Sequence, residues 1–222
     1  RLVTETYQKY ENKLPRKVLC AKAFENILLN CTLYIYDEDL IVGEIAAPAK
    51  ASPIYPEFSV NWIIEEILNS PFEERAHDQF YIRNDEERAE IVELCKWWQG
   101  RSVADMIEAR LTDDQIKGSE AGEKIFQTNL YHYAGAGHLS LDYSRLMSLG
   151  FDGLIAEAKK YKAALDMRDV EYNDKVEFYD AVIITYEAAK KYIERYAKLA
   201  EEKAAVEKDP KRKEELLGIA KS

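Results

Sequence analysis

The stretch NDKVEFYDAVIITYEAAKKYIERYAKLAEEKAAVEK, residues 173–208, decides how the rest of the chain reads. Val176, Tyr179, Ile183, Tyr186, Ile193, Tyr196 and Leu199 or Ala200 recur at three- to four-residue spacing among lysines and glutamates. That period predicts one apolar stripe along a helix of about 35 residues, far longer than the usual globular helix. Such a helix cannot bury its own stripe, so other elements must pack along it. Asp209-Pro210 then resets a cap, an acceptor side chain followed by proline at the first helical position, for the further helix KRKEELLGIAKS. This helix runs to Ser222 without a closing turn, and the expectation is a chain cut short or one segment of a larger fold.

Upstream, helices alternate with proline-punctuated loops. After Pro15 the run VLCAKAFENILLN places Val18, Ala21, Phe24, Ile27 and Leu28 on one helical face. TLYIYDEDLIVGEI, residues 32–45, has β-branched and aromatic residues on both sides of Asp37-Glu38-Asp39 and reads as a short β-hairpin. AAPAKASPIYPEF, residues 46–58, holds three prolines and is expected to be an extended loop. A short helix follows over 60–68, and Ser70, Pro71 and Glu73 form a capping-box pattern. Asn84 starts the helix DEERAEIVELCKWWQG, which Gly100 ends, and Ser102 caps SVADMIEARL. With no repeat, linker or shift in composition, residues 1–222 read as one mainly α unit with a short β-hairpin and no internal boundary.

Composition excludes several classes of function. The chain has 47% apolar and 32% charged residues, an ordinary globular balance, and a net charge of −10 with no clustered basic face, which argues against nucleic acid as partner. No apolar run approaches the roughly 20 residues of a membrane-spanning helix, and RLVTETYQKY is too polar for a signal peptide, so the expected compartment is cytoplasmic. Cys20, Cys31 and Cys95 are odd in number and lack CxxC spacing, and they read as buried small hydrophobes in a reducing compartment.

Where chemistry could reside is a narrower question. YHYAGAGHLSLDY, residues 131–143, presents His138 after a small-residue turn, with His132 six residues earlier. Six residues advance a helix by about 600°, so the two imidazoles cannot share a face. HExxH, CxxC, GxSxG and Walker-type patterns are absent from the sequence, which leaves no motif for metal, nucleophile-elbow or nucleotide chemistry. The carboxylates in stretches such as EEKAAVEKDPKRKEE sit at four-residue spacing from Lys or Arg and read as a solvated face. Trp97-Trp98 reads as a wedge between helices rather than a ligand platform.

Six stretches in order carry a resemblance: AKAFENIL (21–28), YIYDEDLIVGEIAAPAKASPIYPEF (34–58), DQFYI (78–82), WWQGRS (97–102), GAGHLSLDYSRLMSLGFDGLIAEA (135–158) and FYDAVIITYEAAKKYIERYAKLA (178–200). Together they resemble the N-terminal part of the glycyl radical enzymes, the pyruvate formate-lyase family, and its dehydratase and lyase branch in particular. The resemblance implies a ten-stranded α/β barrel wrapped by helices, of which this chain would be the helical N-terminal portion. It also implies that a cysteine on a central loop and a radical-bearing glycine lie downstream, since neither motif occurs here. An S-adenosylmethionine-dependent activating enzyme would install the glycyl radical, and the complete enzyme, a homodimer, would cleave a C–O, C–N or C–S bond of a small hydroxylated or aminated compound or perform formate acetyltransferase-like chemistry. This chain itself would bind no cofactor and no metal. The other class of function left open is a non-catalytic helical module or split subunit that binds a partner chain.

Within that resemblance His138 falls at the wall of the substrate cavity, with Leu130, Tyr131 and Gln127 as neighbours. An imidazole titrates near neutrality and can donate or accept the proton that a departing hydroxyl requires. The residues by themselves allow a second reading, in which His138 caps a helix beginning near Ser140 and Gly135 and Gly137 supply the entry turn.

Overall fold

The computed structural model describes residues 1–44, 54–69, 82, 84–119 and 140–222, and these form helices joined by turns and extended segments. In chain order the helices are α1 (Leu2–Tyr10), α2 (Arg16–Asn30), α3 (Asn61–Asn69), α4 (Asp85–Trp98), α5 (Val103–Glu108), α6 (Asp113–Ser119), α7 (Tyr143–Ala163), α8 (Tyr172–Val206) and α9 (Pro210–Lys221). They group into two compact units, one from residues 52–140 with Arg1, the other from residues 2–51 and 141–222.

The second unit is organised by α8. As the spacing predicts, it spans 35 residues, and Asp209 caps the helix after it by accepting from the Lys211 amide at 3.1 Å. The buried ridge differs in detail from the expected stripe. Ala188, Tyr192, Tyr196, Ala200 and Ala204 are buried at strict four-residue spacing, whereas Ile193 is 49% exposed. The small residues matter more than the large ones because they let a neighbouring backbone lie close against the helix. Leu28 and Cys31 from the end of α2, Ile35 beyond it and Leu216 of α9 close this core. α1, which the sequence reading did not anticipate, packs on α2, where Asn26 donates to the Leu2 carbonyl at 2.8 Å.

The segment after α2 corrects the expected hairpin. Among the described residues there is no strand. The turn forms, with the Asp39 amide donating to the Tyr36 carbonyl at 3.2 Å and the Tyr36 amide to the Asp39 carboxylate at 2.8 Å, but residues 31–44 run as an extended strap without a ladder. A two-stranded ribbon is marginal by itself. Here the carbonyls find charged or phenolic donors on helices instead of a partner strand.

In the first unit, Val60, Ile63, Ile67, Val92, Cys95, Trp98 and Ala104 are buried around α3, α4 and α5. The Asn84 side chain accepts from the Glu87 amide at 2.8 Å and Ser102 from the Asp105 amide at 3.2 Å, so both expected caps form, although α5 is shorter than its run suggested. Gly100 ends α4 with φ +72°, a left-handed backbone that suits glycine. Trp97 and Trp98 meet edge to face at 4.9 Å between centroids, with Trp98 buried and the Arg101 guanidinium 4.8 Å from the centre of the Trp97 ring. The capping-box pattern at Ser70, Pro71 and Glu73 lies outside the described residues.

Candidate functional site

His138, Leu130, Tyr131 and Gln127 all fall within residues 120–139, outside the described residues, as do His132, Gly135 and Gly137, and His77 also lies outside the described residues. Of the rival cap, the structure gives the outcome directly. α7 begins at Tyr143, and its cap is Asp142, whose Oδ1 accepts from the Arg145 amide at 3.0 Å. The helix start that His138 could have capped is therefore served by another residue.

The most developed polar arrangement among the described residues is the clamp that α8 and α9 place on the strap. Arg195 donates through Nη1 to the Leu28 carbonyl and through Nη2 to the Cys31 carbonyl at 2.6 Å. Both oxygens lie at the C-terminal end of α2, where carbonyls lack intrahelical partners and the helix dipole favours a cation. Lys203 Nζ donates to the Ile35 carbonyl at 2.6 Å. Arg212 spans the turn, donating to the Tyr36 carbonyl at 2.7 Å and the Asp39 carbonyl at 2.9 Å, and is itself held by Glu215 at 3.0 Å. At the far end, Tyr192 and Tyr196 hydroxyls converge on the Glu44 carbonyl at 2.6 and 3.1 Å. Burial pushes the Tyr192 phenol well above its ordinary pKa, so it remains a donor at any physiological pH. The clamp thus engages backbone carbonyls from Leu28 at the end of α2 to Glu44 at the end of the strap.

This clamp was missed in the sequence. Lys203 and Arg212 belong to the stretch read as a solvated face, and that reading holds for Lys198 with Glu202 at 3.8 Å and Lys211 with Glu215 at 3.9 Å. A usable signal existed, since Arg195 and Lys203 follow Tyr192 and Tyr196 at helical spacing beside the small residues of the ridge. The strap and Arg212 also border an open cleft of about 510 Å³ lined by Asp37, Glu38, Leu40, Glu207, Asp209 and Lys211. No group of three or more His, Cys, Asp or Glu that could hold a metal occurs among the described residues.

The cysteines separate. Cys31 and Cys95 are buried as expected, but Cys20 is exposed, with its sulfur 3.5 Å from the Tyr7 hydroxyl, because position 20 falls on the outer face of α2. Burial pushes the Cys95 thiol up to about 11, which removes it as a nucleophile near neutrality. No described helix is long and apolar enough to cross a membrane.

Against known proteins, the sequence model described as pyruvate formate lyase-like matches residues 1–222. The chain is 71% identical over 220 residues to a (2S)-3-sulfopropanediol dehydratase of Klebsiella oxytoca, a match covering 99% of this chain and 26% of that protein. It is 29% identical over 224 residues to the trans-4-hydroxy-L-proline dehydratase of Clostridioides difficile, covering 100% and 27%. Its structure is similar to the glycerol-bound B12-independent glycerol dehydratase from Clostridium butyricum, with a TM-score of 0.88, 33% identity and coverage of 99% and 27%. The chain thus spans about a quarter of the length of these relatives.

Proposed function

The chain belongs to the pyruvate formate lyase-like family, and from that membership we propose that it is the N-terminal part of a glycyl radical dehydratase, residues 1–222 forming one portion of a ten-stranded α/β barrel domain without an internal boundary. The reaction is the elimination of water from a small diol carrying an anionic group, of the kind that (2S)-3-sulfopropanediol represents. The observation that carries this reading is the 71% identity to the sulfopropanediol dehydratase over 220 residues, more than twice that to the hydroxyproline dehydratase. In the complete protein a glycyl radical, installed by an S-adenosylmethionine-dependent activating enzyme, would supply hydrogen abstraction. The assembly is proposed to be a cytoplasmic homodimer of anaerobic metabolism.

This chain's own contribution is to shape the pocket and move a proton. His138 stands at the pocket wall, with Leu130, Tyr131 and Gln127 beside it, and gives a proton to the departing hydroxyl or orients the diol. The start of α7 is capped by Asp142, so the capping of that helix does not call for a histidine, and this supports the reading. The test is His138→Gln in the full-length protein, measured as turnover per glycyl radical. A general acid contributes about 10²- to 10⁴-fold, so a loss of that order with unchanged radical content is expected. Turnover within about threefold of the original would remove His138 from the chemistry.

A further inference from the structure

α7 is bent into an elbow, and the bend is pinned. Gly150 has φ 62° and ψ 176°, a conformation confined essentially to glycine, and it divides the helix into an arm, Tyr143–Leu149, and a body from Phe151 onward. Arg145 on the arm donates to Glu157 on the body, 12 residues later. In unbroken helix those residues would stand about 18 Å apart along the axis, beyond the reach of their side chains, so the ion pair exists only because the helix folds back at Gly150. Glu157 is anchored on its own side as well, its other oxygen accepting from the Tyr161 hydroxyl at 3.3 Å. A second glycine makes the bend tight: a Cβ at Gly153 would meet the Leu149 Cβ at 2.9 Å, an atom fixed to the arm's backbone. Along the arm only Leu146 is half-buried, and the other six residues are exposed. Leu141, Tyr143, Met147 and Leu149 are all exposed.

From this geometry we infer that Arg145 and Glu157 form a latch across the Gly150–Gly153 elbow that sets the direction of the arm, and so acts as a positioning device for the segment that ends in Asp142. The consequence for activity rests on the function proposed above, since that segment follows His138 in the sequence; the latch itself rests only on the described residues.

The test uses the full-length protein with Glu157→Ala and with the exchanged pair Arg145→Glu/Glu157→Arg. Amide hydrogen exchange over residues 144–149 reads the arm, exchange over 172–206 serves as the internal control, and turnover per glycyl radical with its KM reads the consequence. A partly exposed ion pair shifts such an equilibrium by about fivefold at most. Glu157→Ala is therefore expected to raise exchange in the arm by about that factor, leave the control unchanged, and lower turnover per radical at least about threefold at constant radical yield; the exchanged pair restores both. Unchanged exchange in Glu157→Ala overturns the latch, as does a failure of the exchanged pair to restore protection. Raised exchange with unchanged turnover overturns the positioning role. If the unaltered protein shows no radical-dependent turnover, it is the proposed function that fails, and exchange alone decides the latch.

Discussion

Removing the Arg195 guanidinium should release the end of α2 and the strap together. Arg195→Ala deletes two charge-assisted bonds, to the Leu28 and Cys31 carbonyls, and leaves those oxygens beside a buried core. A bond to a charged donor is worth about 1.5–3 kcal/mol, and breaking a buried charged arrangement costs about 3–5 kcal/mol. Because Arg195 is only half-buried, the lower figure applies, about 3 kcal/mol, with part of the loss recovered by water. The loss is read as easier local opening at the end of α2, at a factor of ten per roughly 1.4 kcal/mol. Amides in the last two turns of α2, including that of Cys31, which donates to the Ile27 carbonyl at 2.8 Å, should exchange about a hundredfold faster in the full-length protein. Arg195→Lys keeps the charge but presents a single head that can serve one carbonyl, and about a tenfold increase is expected. Exchange within threefold of the original in Arg195→Ala would refute the clamp as the element that holds the strap.

Thiol labelling at pH 8 should modify Cys20 first and leave Cys95 unreacted until unfolding, because its thiol is pushed up to about 11; equal rates at the two would contradict the burial. For pH, the hydrogen bond from Arg145 and then its charge hold the Glu157 carboxyl below the ordinary glutamate range, so the open state binds the proton more tightly than the closed one. The latch is fully present above the ordinary glutamate value of about 4.3 and is lost as pH falls through the lowered one, and exchange in the arm, corrected for intrinsic rates, should rise only below about pH 4. The 222-residue chain alone exposes Ile41, Met147, Met167, Val170 and Val206, and it is expected to bind a hydrophobic dye or self-associate; a monodisperse, dye-silent monomer with a cooperative melt would favour an autonomous module.

Local signals carried most of the helical architecture. The caps Asn84, Ser102 and Asp209 act through their own side chains within three residues, and the period of residues 173–208 marked α8 to within two residues at either end. What was not legible depends on partners distant in sequence. Residues 32–44 have the alternation of strands, yet their carbonyls are taken by Lys203 and Arg212, more than 160 residues away, and no local pattern announces such donors. The ridge of α8 was misread at Ile193 because close approach of a backbone rewards alanine over bulk, which a search for large apolar residues overlooks. α1 went unanticipated because its nine residues are too few for a clear period and its stability comes from α2. For the site, the pattern around His138 supplied a residue and a chemistry, and the described residues add the cap at Asp142 and the elbow behind it.

The central claim is that this chain serves a radical dehydratase, and it is tested most directly on the full-length protein treated under anaerobic conditions with S-adenosylmethionine, a reductant and its activating enzyme. The account predicts a glycine-centred radical by electron paramagnetic resonance and, on addition of (2S)-3-sulfopropanediol, stoichiometric loss of the diol with appearance of a carbonyl product, both abolished when the activating enzyme is omitted. A protein that carries the radical yet leaves every small diol intact would contradict the dehydratase assignment, and one that forms no radical under conditions that activate the Klebsiella oxytoca relative would contradict the account as a whole.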